Sequence, residues 1–301
     1  MALYSIKELE QLSGIKAHTI RIWEQRYQIL APSRTDTNIR FYDDEDLKWL
    51  LNISLLNEKG TKISKIAKMT KEEVAQMVQH LCEQSSEFDH HINGLITAML
   101  DLDEALFDKV LSTATLQLGF QNMMQDVVYP FLKKIGILWQ TGNISPAHEH
   151  FISNLIRQKI LVAIDGQVVR RRDGHPTYML FLPEGEMHEI ALLYMNYLLR
   201  TLQIYTLYLG QSLPFEDLKL CYKSFKADYI CTVLTSTPER SEVQAYIDTL
   251  SATFPEATIM VYGSQVQHDF LVFPANVTHL TSMQDFVSEI TATAKHSQVA
   301  R

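Results

Sequence analysis

The sequence predicts a multidomain α and α/β protein: an N-terminal winged helix-turn-helix, a four-helix bundle and a C-terminal doubly wound parallel α/β domain of the flavodoxin-like kind. Three observations predict it. Two short segments of helical period precede a polar, turn-rich stretch near the N-terminus. Helical spacing then fills residues 91–170. From Thr177 onward short apolar runs alternate with helix-length segments, as in a parallel sheet. The expected boundaries are 1–72 for the first domain, 73–90 for a linker or dimerisation helix, 91–170 for the bundle and 176–296 for the α/β domain.

In the first domain, Ile6, Leu9 and Leu12 share one helical face, with Ser5 placed to cap the helix and Glu8 three residues later. Ser13-Gly14 ends that helix. A second helix is expected from about His18 to Tyr27, with Ile20 and Trp23 inward and Arg21 and Arg26 outward. Residues 31–42 are polar and turn-rich and end in the β-favouring Ile39-Arg40-Phe41-Tyr42, which predicts a wing hairpin. Asp43 to Asp46 then supply the acidic start of a helix carrying Leu47, Leu50, Leu51, Leu55 and Leu56. A short helix from Ile63 to Met69 follows. A longer one, from about Lys71 to Phe88, carries Val74, Met77, Val78 and Leu81 as a dimer seam or linker.

The bundle helices are expected at Ile92–Leu102, Asp103–Leu118, Phe120–Thr141 and Ala147–Gln167. Arg170-Arg171-Arg172-Asp173-Gly174 breaks the pattern as a solvated linker. Strands are expected at Tyr178–Leu182, Ile204–Leu209, Tyr229–Leu234, Thr258–Tyr262 and Val277–Leu280, with helices between them. Ligands of such folds sit at the carboxyl ends of the strands.

Composition narrows the function. The net charge is −8, yet residues 1–80 hold 12 Lys and Arg against 11 Asp and Glu, so the remainder carries −9. Within residues 15–40 five basic residues face two acidic ones, a modest basic patch on an acidic protein. Cys82, Cys221 and Cys231 are widely spaced, which suggests neither a disulfide framework nor a zinc ribbon and fits a reducing compartment. No apolar run approaches the roughly 18 residues of a membrane span, and no signal peptide pattern opens the chain. A soluble, cytoplasmic protein is the expectation.

The succession Tyr4-Ser5-Ile6, Thr19-Ile20-Arg21-Ile22-Trp23-Glu24, Arg26-Tyr27, Leu30-Ala31-Pro32, Arg34 and Arg40-Phe41-Tyr42 resembles the DNA-binding domain of the MerR family of regulators. The resemblance covers about the first 70 residues. It implies a double-stranded operator DNA as partner, with the second helix in the major groove. Arg21 is expected near base edges, Tyr27, Arg34, Arg40 and Tyr42 at the phosphate backbone, Thr19 and Arg26 in the same interface, and Trp23 in the core. Family members pair through the helix after the wing, which implies a homodimer on a near-palindromic site, or a tetramer with ligand.

Further on, Gly136 to His150 resembles the bundle of cobalamin-sensing MerR-type repressors, and its Trp139, Glu149 and His150 would cover the upper face of the cofactor. After the first strand of the α/β domain, Glu186-Met187-His188-Glu189-Ile190-Ala191 is similar to the Asp/Glu-x-His-x-x-Gly motif of cobalamin-binding domains. The resemblance implies His188 as lower axial ligand to cobalt and Glu186 as the acid that orients its ring. Thr235, Ser236, Gly263 and Ser264 would lie near the nucleotide tail, and the cofactor would be adenosylcobalamin or methylcobalamin. An adenosyl upper ligand would make a light response possible. Two positions depart from the motif, Ala191 for Gly and Ser264 for the second Gly of a Gly-Gly pair.

Three rivals carry other expectations. A degenerate domain would sense another small ligand or a protein partner. A cobalamin enzyme would need a catalytic domain, which nothing in the sequence resembles. A metal site on His148, Glu149 and His150 would need side chains that diverge by about 200° on one helix to converge.

Overall fold

The structure, a computed structural model, describes residues 4–13, 15–34, 40–82, 88–140, 144–268 and 270–299. Two compact units divide the chain, Met1–Ile152 and Ser153–Arg301. The division falls inside a single helix, Pro146–Asp165.

The first unit opens with helices α1 (Ile6–Ser13) and α2 (Ala17–Tyr27). Leu9, Ile20 and Trp23 are buried as the helical spacing requires, and the Gly14 turn lies outside the described residues. Strands β1 (Ser33–Arg34) and β2 (Arg40–Phe41) pair antiparallel as the base of the wing, whose tip at 35–39 lies outside the described residues. Tyr4 exchanges backbone hydrogen bonds with Tyr42, so the chain start lies alongside the wing. Helix α3 (Asp44–Glu58) begins with a reciprocal capping box between Asp43 and Asp46. Its Leu50 and Ile53 are buried, Trp49 Nε1 donates to the Ile29 carbonyl at 2.7 Å, and Ser54 Oγ donates to the Ser13 carbonyl at 2.8 Å. Helix α4 (Ile63–Ile66) is one turn, shorter than expected, and α5 is Lys71–Cys82.

Helices α6 (Asp89–Leu100) and α7 (Glu104–Leu118) follow. Where one helix was expected over 120–141, the structure has α8 (Phe120–Asn122), a π-helical turn (Met123–Val128) and α9 (Tyr129–Gln140). The wider turn lets two adjacent pairs, Met123-Met124 and Val127-Val128, all point inward, which a 3.6-residue period cannot do as well. Helix α10 (Pro146–Asp165) ends the helical region.

The second unit holds five parallel strands: β3 (Thr177–Pro183), β4 (Tyr205–Leu213), β5 (Tyr229–Val233), β6 (Thr258–Tyr262) and β7 (Val277–His279). Their order is β4-β3-β5-β6-β7, the flavodoxin-like arrangement. Every residue of β3 is buried, as its uninterrupted apolar run requires of a strand covered on both faces. Helix α11 (Ile190–Thr201) is buried continuously from Leu192 to Leu199, and α12 (Phe215–Phe225), α13 (Val243–Thr253) and α14 (Met283–Val299) complete the layers. In the linker run, Arg171 lies over the Phe225 ring at 5.0 Å, so that part of the segment docks on the domain.

From β3 the chain goes first to β4 on one side and then crosses to β5 on the other. The switch point of the sheet therefore lies between the carboxyl ends of β3 and β5. Beyond β6, Gly263 has φ 122° and passes so close to the end of β5 that an added Cβ would stand 2.3 Å from the Leu234 carbonyl oxygen. Gly263→Ala should destabilise the α/β domain by more than about 1 kcal/mol, read as a lower urea midpoint.

Candidate functional site

On α2, Arg21, Ile22, Gln25 and Arg26 are exposed while Ile20, Trp23 and Glu24 are buried. This is the surface a recognition helix offers to a groove. Arg26 lies over the Tyr27 ring at 5.6 Å, and Thr19 Oγ1 is 3.3 Å from His18 Nε2. Arg34 is exposed on β1. Arg40 is half-buried, its Nε 3.3 Å from Glu24 Oε2. Tyr42 corrects the expectation of a phosphate contact: it is fully buried, and its hydroxyl donates to Glu24 Oε1. Burial, then the Glu24 bond and charge, push the Tyr42 pKa up, so the phenol stays protonated as a packing residue. Glu24 itself was missed as an organising residue, because its partners lie 16 and 18 positions away in the wing.

The second site lies at the switch point of the α/β domain. Glu186 follows β3 and is fully buried. Its Oε1 accepts from the Met187 and His188 backbone N–H groups at 2.9 and 3.0 Å. Its Oε2 accepts from the backbone N–H groups of Thr235, Ser236 and Thr237 at 3.0, 2.6 and 3.0 Å. Ser236 Oγ donates within 3.2 Å. Burial works to raise the Glu186 pKa, but the bonds from His188, Ser236 and Thr237 outweigh it and hold the carboxyl well below its ordinary range.

His188 Nδ1 lies 2.6 Å from Glu186 Oε1, while the ring as a whole is 58% exposed. The loop is braced from β4 as well. Gly185 N–H donates to Ser212 Oγ at 3.0 Å, Ser212 N–H to the Glu186 carbonyl at 3.2 Å, and Gln211 Nε2 to the Met187 carbonyl at 2.7 Å. Thr235 and Ser236 therefore act first through Glu186. Ser264 Oγ donates to the Thr235 carbonyl at 2.8 Å, which joins the loops after β5 and β6. Ala191 stands in the first turn of α11, half-buried.

In the helical region, His150 Nδ1 is 3.0 Å from Glu149 Oε2, and His148 Nδ1 is 2.8 Å from Ser145 Oγ. Of the three residues of the metal rival, Glu149 and His150 thus pair with each other while His148 turns to Ser145. Trp139 belongs to α9, and its side chain lies outside the described side chains.

Comparison with known proteins bears on the N-terminal and helical regions. Residues 4–73 match the MerR HTH family regulatory protein, and residues 91–163 match the B12 binding domain. The chain is 27% identical over 82% of its length to the HTH-type transcriptional repressor CarH of Myxococcus xanthus, covering 83% of that protein. It is 22% identical to the repressor CarA of the same organism, over 94% of each chain. The monomethylamine corrinoid protein of Methanosarcina barkeri shares the fold with a TM-score of 0.53 at 12% identity, over 65% of this chain and 94% of that one. These findings make the chain similar to a class of MerR-type regulators, and the two relatives that match it over most of its length are transcriptional repressors. In particular, the chain has one region that matches the MerR HTH model and, after it, one that matches the B12 binding domain model, and it is similar over most of its length to CarH and CarA.

The bound carboxylate sets a pH dependence. A glutamate whose folded pKa lies below its ordinary 4.5 adds stability above that value and loses it as the pH falls toward the folded pKa. Glu186→Gln should cost about 1–3 kcal/mol at neutral pH. It should also flatten the loss of stability below pH 4.5, measured by urea denaturation across an acid series.

Proposed function

We propose that this chain is a DNA-binding regulator controlled by a cobalamin that His188 ligates from below. The observation that carries the reading is the Glu186–His188 pair at the switch point. A buried carboxylate on Nδ1 fixes the ring's orientation and makes Nε2 the atom offered to cobalt, which suits an imidazole ligand and its supporting acid. The ring's exposure fits a ligand arriving from outside the loop. A bound cobalamin supplies a cobalt centre and a visible spectrum sensitive to its lower ligand. Trp139, Glu149 and His150 are proposed for its upper face, and Thr235, Ser236, Gly263 and Ser264 for the surroundings of the tail. Adenosylcobalamin and methylcobalamin are the proposed forms, the first of which would bring light into the response.

On the DNA side, Arg21 is proposed at base edges, with Thr19, Arg26, Tyr27, Arg34 and Arg40 along the backbone of operator DNA. A homodimer, or a tetramer with ligand, is proposed as the working assembly in a cytoplasmic setting. The domains are proposed to run over 1–72, 73–90, 91–170 and 176–296. Among the described residues no helix is long and apolar enough to cross a membrane. A second reading, a different small ligand or a protein partner, draws on Ala191, whose methyl stands where the motif has Gly.

His188→Ala should remove lower coordination and shift the visible spectrum of the bound cobalamin; an unchanged spectrum and affinity would end the cobalamin reading in this form. Arg21→Ala should weaken operator binding by about 1–3 kcal/mol and relax specificity at one position. Competition binding checks it, and equal weakening on operator and random DNA would instead make Arg21 a phosphate contact.

A further inference from the structure

The residue after His188 is also a buried acid. Glu189 is 5% exposed and is held from two elements of the second unit. Arg157 Nε, on α10, donates to Glu189 Oε1, and Tyr208 OH, on β4, donates to Oε2 at 2.8 Å. Burial, followed by the bond and charge of Glu189, pushes the Tyr208 pKa up, which keeps its hydroxyl proton in place as donor. A second tie lies beyond the C-terminal end of the same helix, where Arg200 donates to the Gln167 carbonyl at 3.1 Å. The C-terminal half of α10 is thus fastened to the α/β unit at the loop that carries His188.

We propose that Arg157, Glu189 and Tyr208 form a positioning cluster that fixes α10 against the loop bearing His188, so that a ligand taken by His188 and the placement of α10 are coupled. The identity of that ligand rests on the cobalamin reading. The cluster touches no ligand itself; it acts through the backbone that follows His188. Breaking this half-buried ion pair exposes α10 to local opening without removing His188 or its partner Glu186.

Hydrogen–deuterium exchange on the full chain tests this, with Glu189→Gln, Arg157→Met and the double variant compared with wild type. Without ligand, each single variant should speed exchange over 153–165 and 186–190 together by about tenfold while β5 and β6 stay protected. The double variant should add little to either single one, because both remove the same interaction. Unchanged exchange, loosening of only one segment, or additive effects overturn the proposal. In a second arm hydroxocobalamin is added. Wild type should gain protection in both segments, whereas Glu189→Gln should gain it over 186–190 alone. Transmission to 153–165 in Glu189→Gln as strong as in wild type overturns the coupling. If wild type takes up no hydroxocobalamin, the cobalamin reading fails, and the ligand-free exchange still decides for or against the cluster.

Discussion

The α/β site depends on one buried charge. An ionised carboxylate removed from water costs several kcal/mol unless the protein replaces its hydration. Five backbone N–H groups, from the loop after β3 and the loop after β5, do so for Glu186, together with the Ser236 hydroxyl and the His188 ring. Those donors can converge only because β3 and β5 are neighbours in the sheet although β4 lies between them in sequence. The strand order is therefore a condition for the site, and the orientation of His188 is its consequence.

The same device recurs in the rest of the molecule. Among the described residues three carboxylates are buried, Glu24, Glu186 and Glu189, and each holds a side chain with a proposed task or a link between elements. Glu24 joins the recognition helix to the wing through Arg40 and Tyr42. Glu186 sets the ring of His188, and Glu189 joins α10 and β4 to the loop beside it. In each case a charge is buried against partners from distant segments, which gives the arrangement orientation at the cost of desolvation.

Much of this was legible in the sequence. The five strands announced themselves as short apolar runs between helices, and each lies within a few residues of its expected place; β3, β5 and β6 are the plainest, because a strand buried on both faces tolerates little polarity. The Glu186-x-His188 motif lies directly after β3, where the alternation of runs placed it. What periodicity could not carry was pairing across long separations: Tyr42 reads as an exposed wing residue until Glu24 is placed beneath it. Thr235 and Ser236 read as hydroxyl residues for a ligand, whereas their backbone N–H groups serve the buried acid. The π-helical turn at Met123–Val128 escaped because the apolar pairs there also suit an ordinary helix. Glu189, at an unspecified position within the motif, carried no signal, since its partners are 32 residues before and 19 after it.

The central claim is that a ligand held by His188 changes how the N-terminal domain binds DNA, and linkage makes that claim measurable without knowing the direction of control. The decisive measurement is the affinity for operator DNA with and without adenosylcobalamin, alongside the affinity for adenosylcobalamin with and without that DNA. The account predicts that the two ratios are equal and differ from one by about fivefold or more. Adenosylcobalamin bound through His188 with both ratios equal to one would contradict it.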